Sequence, residues 1–362
     1  MCNRVSDINP SLLCIGQSAS LLFLLVVVTA ACNLPANPSA GNTPEKVILG
    51  GTVVDAVDMS PLVGARLSIP GLGVVSVSGG DGSFTLPIES ATNPIVETSA
   101  AGYWTRATRI AAAGTTNVVV DLLPNGKGFN LAFFDYVLRR SGGVCTPPGG
   151  LGTVRWQEQP TFKVWTSEFS CVTPWPQSAG GCITIRATGR STPPGFSSSV
   201  RSVLTEDVPA YSGGVLHNVR VIEEDVPTGT RLRHPDDTLI KGFVTIAYVD
   251  EARPSIATVD DGGVMGITAS HIQIFGSGVS DVGSADLMSL ASHEVAHALG
   301  FYHPCGVEYT LLPSTMRVPS RPTDADRLHG RILYRRSSGS RSPDLDADGF
   351  VINMRSSVSE HR

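Results

Sequence analysis

The chain has 362 residues, 41% of them hydrophobic and 16% charged, with a formal net charge of -5. That balance supplies apolar material for two cores and excludes a chain disordered throughout. Mild acidity, with no basic stripe interleaved with aromatics, excludes nucleic acid as an expected partner.

Residues 1–31 read as a targeting segment. Residues 21–31 are an apolar run of signal-peptide length, too short to span a bilayer comfortably, ending Thr29-Ala30-Ala31 before Cys32. Small residues before a cysteine resemble a bacterial lipoprotein cleavage site. The resemblance implies that Cys32 becomes the lipidated first residue of the mature chain, which a lipid anchor then holds to a membrane of the bacterial cell envelope. Thr29 departs from the Leu more usual there, and Arg4 is the only basic residue of the n-region. An ordinary signal peptide or an uncleaved anchor fits the same run, and every reading places the rest of the chain outside the cytoplasm. Residues 33–46, rich in Pro, Asn, Ser and Gly, have little to bury and read as a flexible linker.

Over 47–124 the chain changes character. Short β-rich runs at 47–54, 65–69, 74–78, 84–88 and 117–122 alternate with turns such as Gly79-Gly80-Asp81-Gly82, which predicts a small all-β sandwich. The order Gly50 to Asp55, Pro61-Leu62-Val63-Gly64-Ala65, Asp81-Gly82-Ser83-Phe84 and Ala101-Gly102-Tyr103 resembles the carboxypeptidase regulatory-like (transthyretin-like) module. No catalytic cluster falls here, so the expected role is a spacer or binding module.

A second domain is expected over 129–336. Residues 161–166 read as a first core strand, and 200–204 open a helix that ends near Ser212-Gly213-Gly214. Residues 215–223 and 241–249 read as strands, and 263–275 as an edge strand pair with a polar face. Ser284 or Asp286 can cap a helix whose apolar face is Leu287, Leu290, Ala291 and Ala298. Thr323 and Asp326 read as a capping box opening a helix to about Arg335.

The first of those two helices carries His293-Glu294-Val295-Ala296-His297-Ala298-Leu299-Gly300-Phe301-Tyr302-His303. Histidines four apart lie one above the other on a helix face and can grip one ion. Glu294 stands one step round, where it can touch a water without ligating the metal. Gly300 can take a positive φ, so the chain swings back and delivers His303 as a third imidazole. Three neutral imidazoles and a water make an open zinc site. Chance coincidence of the five fixed positions has a probability of roughly 10⁻⁵, well below that of a bare pair of histidines.

This run resembles the zinc signature of the metzincin metalloproteases. The resemblance implies an α+β metzincin-like catalytic domain holding one Zn²⁺ on His293, His297 and His303, with Glu294 as the base in hydrolysis of protein or peptide substrates. It also implies a turn carrying Met316, in Ser314-Thr315-Met316, as an apolar floor beneath the ligands. Val318 stands where some members have Tyr, and no cysteine-switch segment lies upstream. The alternative is a non-proteolytic, surface-anchored binding lipoprotein with a structural or relic zinc site, but a structural zinc calls for a fourth protein ligand, and none is evident.

Beyond the leader, Cys145, Cys171, Cys182 and Cys305 allow three pairings in an exported protein. Cys171 with Cys182 would close a short loop, leaving Cys145 with Cys305. Residues 337–362 read as a polar, disordered tail. Asp344, Asp346 and Asp348 alternate as in a calcium loop, but Arg355 occupies the position where an EF-hand needs Glu.

Overall fold

A computed structural model describes residues 46–89, 93–111, 117–140, 152–175, 181–251, 253–260, 266–276, 285–303, 320–347 and 350–352. The leader, Cys32 and the linker up to residue 45 lie outside them. Pro44–Arg362 form one compact unit, in which α and β are mixed, strand predominates and the strands fall into several sheets.

Seven strands come first: β1 (Lys46–Asp55), β2 (Arg66–Ile69), β3 (Val74–Val77), β4 (Ser83–Glu89), β5 (Ile95–Ser99), β6 (Arg106–Ile110) and β7 (Val118–Leu122). β1 lies between antiparallel β4 and parallel β7, while β6, β5, β2 and β3 line up in a second sheet. Along β4 the period of two is complete, with Phe84, Leu86 and Ile88 buried and Ser83, Thr85 and Pro87 exposed. Leu49, Val53, Phe84 and Leu86 from one sheet meet Leu67, Ile69 and Val96 from the other in a single apolar cluster. Gly82 turns into β4 at φ +75, where a Cβ would meet the Val53 carbonyl at 2.6 Å. Sequence reading missed β5 and β6, whose Glu97, Arg106 and Arg109 mask their alternation.

The remaining chain gives α1 (Leu131–Val137), β8 (Arg139–Arg140), β9 (Gly152–Thr153), β10 (Thr161–Pro174), β11 (Cys182–Ser191), α2 (Phe196–Ser212), β12 (Arg220–Glu224), β13 (Arg231–Arg233), β14 (Phe243–Val249), β15 (Ile256–Asp260), β16 (Ala269–Phe275), α3 (Ala285–Ala298), α4 (Asp324–Arg335) and β17 (Val351–Ile352). Its main sheet runs β13-β11-β10-β14-β16-β15, and β12 pairs with the first half of β10. The near-continuous apolar run of β14, between parallel neighbours, is that of a strand covered on both faces. α2 buries Phe196, Val200, Val203, Leu204, Val208 and Tyr211 as one helical stripe. Thr323 and Asp326 form the expected capping box at the start of α4. Cys171 and Cys182 are disulfide-bonded with Cα atoms 5.8 Å apart; Cys145 and Cys305 lie outside the described residues.

Two expectations need correction. Residues 263–275 are not an edge pair: β16 lies inside the sheet with all seven residues buried, and the edge is β15. The polar residues that suggested a solvent face satisfy one another internally. Gln273 accepts from Cys182 N at 2.7 Å and donates to its carbonyl at 2.8 Å, while His271 Nδ1 lies 2.8 Å from Thr245 Oγ1. Burial pushes His271 down to about 3, so the ring is neutral.

Nor are residues 337–347 a disordered tail. Asp344 and Asp346 are buried, and their carboxylates are counter-charges for arginines. Arg336 Nε meets Asp344 at 2.9 Å, Arg106 Nη2 meets Asp346 at 2.8 Å, and Asp121 accepts from both Arg336 and Arg106. Burial alone would raise Asp121, but Arg336 and Arg106 outweigh it and hold the carboxyl at about 2. Asp346 N also bonds the Ala107 carbonyl at 3.1 Å, and β17 pairs parallel with β6. The aspartates suggested a calcium loop; two of them instead tie the C-terminal segment to β6 and β7. Asp348 lies outside the described residues.

Candidate metal centre

α3 forms on helix-favouring Ala, Leu, Met and Glu, buries Leu287, Ala291, Val295 and Ala298, and packs on α2, where Tyr211 Oη lies 3.0 Å from Ser292 Oγ. His293 and His297 sit one turn apart in its second half. The helix then ends at Gly300, at φ +98, where a Cβ would collide with the Val154 carbonyl. Gly300 N donates to the His297 carbonyl at 3.0 Å and Phe301 N to the Ala296 carbonyl at 3.0 Å, the two bonds of a Schellman turn. That turn reverses the chain as its glycine predicted, and Tyr302 N fastens it to the Val137 carbonyl at 2.7 Å.

The reversal brings three rings together. Their centroids lie 4.9 Å apart for His293–His297, 5.0 Å for His293–His303 and 4.6 Å for His297–His303. One ring nitrogen from each lies within 4.8 Å of the others, and Nε2 of His297 is 3.0 Å from Nε2 of His303. His297 Nδ1 donates to the Phe301 carbonyl at 2.8 Å, which fixes the tautomer and leaves the Nε2 lone pair for a ligand. Burial, helped by His293 and His303, pushes His297 down to about 3, so the ring is held in the neutral form that ligates. The group runs from buried His293 through half-buried His297 to exposed His303, so it opens to solvent on one side.

Glu294, the residue after His293 on the same helix, is 4% exposed, and its Oε2 has no hydrogen-bond partner among the described residues. Burial pushes its carboxyl up to about 8. A buried carboxyl oxygen is normally satisfied, and this one has no protein partner among the described residues. The donor set fits a metal ion: three imidazoles, with no fourth protein ligand beside them among the described residues.

The three histidines read from the motif are therefore brought together, and Glu294 follows His293 on the same helix. Met316 lies outside the described residues. Sequence reading missed the side chains that support the turn, Trp156 and Tyr334, which lie 142 and 35 residues from the carbonyls they reach. No local pattern could have identified them. No protein-family model matches the chain, and no curated protein matches it in sequence.

Proposed function

We propose that this chain is a zinc-dependent metalloendopeptidase with a metzincin-like catalytic domain, preceded by a β-sandwich and anchored outside the cytoplasm by a lipid on Cys32. The observation that carries the reading is the convergence of three imidazole nitrogens within 4.8 Å, with Glu294, the residue after His293, buried and its Oε2 without a hydrogen-bond partner among the described residues. The two sheets that share one apolar core before residue 124 favour the sandwich. A structural zinc would call for a fourth protein ligand, and the described residues offer none.

His293, His297 and His303 would hold the ion. When bound, zinc supplies Lewis acidity, polarising a carbonyl and making water acidic near neutral pH. The chain's own residues do the rest. With a cation on the imidazoles offsetting the burial that raises its carboxyl, Glu294 would take a proton from the attacking water and return it to the leaving amine, a transfer that typically contributes about 10²- to 10⁴-fold. His297, oriented by the Phe301 carbonyl, keeps its Nε2 aimed into the site. β15 supports a peptide as substrate: it is the antiparallel edge of the main sheet, lies against α3, and has one side without a partner strand among the described residues. An extended peptide can add to such an edge through main-chain hydrogen bonds, which hold the scissile bond straight.

The full-length chain should cleave unfolded casein, lose that activity to a zinc chelator and regain it with added zinc. Cleavage indifferent to chelation, or zinc-dependent hydrolysis confined to esters, contradicts the proposal.

A further inference from the structure

The Schellman turn after α3 leaves part of the helix end unsatisfied. It occupies the carbonyls of Ala296 and His297, but the next two, of Ala298 and Leu299, receive no bond from it. Both lie in the interior, where an unpaired carbonyl is costly. Each is taken by a side chain from another element. Trp156 Nε1 donates to the Ala298 carbonyl at 2.8 Å, and Tyr334 Oη donates to the Leu299 carbonyl at 3.2 Å. Trp156 is 3% exposed and Tyr334 2%.

These donors come from opposite sides of the sequence. Trp156 lies just ahead of β10 in the segment that passes under Gly300, and it bridges Ile267. Tyr334 is in the last turn of α4. Between them they hold the two peptide units that follow His297 and precede Gly300, where the direction of the chain toward His303 is set. A tilt of a few degrees there would be magnified at the His303 ring, which sits at the exposed end of the group.

We propose that Trp156 and Tyr334 are positioning residues for the metal centre: by clamping the Ala298 and Leu299 carbonyls they fix the angle at which the chain leaves α3 and so bring His303 onto His293 and His297. The inference rests on the metal centre proposed above. It adds that the third ligand is placed by indole and phenol donors outside the motif.

The test uses the full-length chain stripped of metal. Zinc affinity is measured by competition with a chromophoric chelator, and the geometry of the site by the visible spectrum of added cobalt(II), for wild type, Tyr334→Phe and Trp156→Phe. Thr245→Val is the comparison: it removes a buried hydroxyl on β14 that donates to the Thr238 carbonyl at 2.8 Å, away from the turn after α3. Tyr334→Phe should weaken zinc binding by about 10- to 100-fold, the usual effect of losing an outer-shell support, and should shift the cobalt bands. Thr245→Val should lower the unfolding midpoint yet keep wild-type affinity and spectrum. Should Trp156→Phe fail to fold, Tyr334→Phe, which loses a single oxygen, carries the test alone. Wild-type affinity and spectrum in Tyr334→Phe overturn the proposal, as does an equal loss in Thr245→Val, which would assign the effect to stability. A wild-type chain that takes up neither metal removes the centre itself, and the clamp with it.

Discussion

Glu294→Gln should retain one zinc per chain and lose casein cleavage by at least about 10²-fold, the lower bound for removal of a general base. Gln matches Glu in shape, so the packing around this 4%-exposed side chain survives. The three nitrogens that converge belong to histidines, so the exchange removes no ligand. What it removes is the carboxyl proposed to take a proton from water and give it back. Zinc content and cleavage measured on the same preparation separate the roles. Loss of zinc in Glu294→Gln would make Glu294 a ligand, and undiminished cleavage would remove it as the base.

Arg336→Met should cost about 3–5 kcal/mol of folding stability, the range for breaking a buried ion pair from one side. Arg336 is 0% exposed. Its guanidinium holds Asp344 with two bonds of 2.9 and 3.1 Å, and reaches both the carboxylate and the carbonyl of Asp121, at 2.5 and 3.1 Å. Met keeps much of the aliphatic volume and leaves two buried carboxylates, Asp121 and Asp344, with Arg106 as the nearest remaining cation. Because Asp344 stands in the segment that reaches back to β6, the loss should also loosen residues 344–347. Urea unfolding of the full-length variant beside wild type measures it. A difference below about 1 kcal/mol, the scale of exposed pairs, would mean that the network is solvated and the C-terminal segment only loosely attached.

The metal group and the network differ in how much of each can be read from sequence. His293, Glu294, His297, Gly300 and His303 span eleven residues, and the part of their assembly that the sequence shows is local: helical periodicity and a glycine that accepts positive φ. The capping box of Thr323 and Asp326 is legible for the same reason. The ion network joins Arg106 to Asp346, 240 residues apart. Before folding, nothing distinguishes those aspartates from solvating charges on a tail. β16 misleads in the same way, since Ser270, His271 and Gln273 look like a wet face until Thr258, Thr245 and Cys182 are brought alongside. Trp156 and Tyr334 read as ordinary core aromatics; their hydrogen bonds to the end of α3 appear only in the folded chain.

Metal content decides whether His293, His297 and His303 form one zinc site. Elemental analysis of the purified full-length chain should find about one zinc in wild type and essentially none in His297→Ala, which removes the middle ligand without touching Glu294. Equal zinc in the two proteins, or none in either, would contradict such a site.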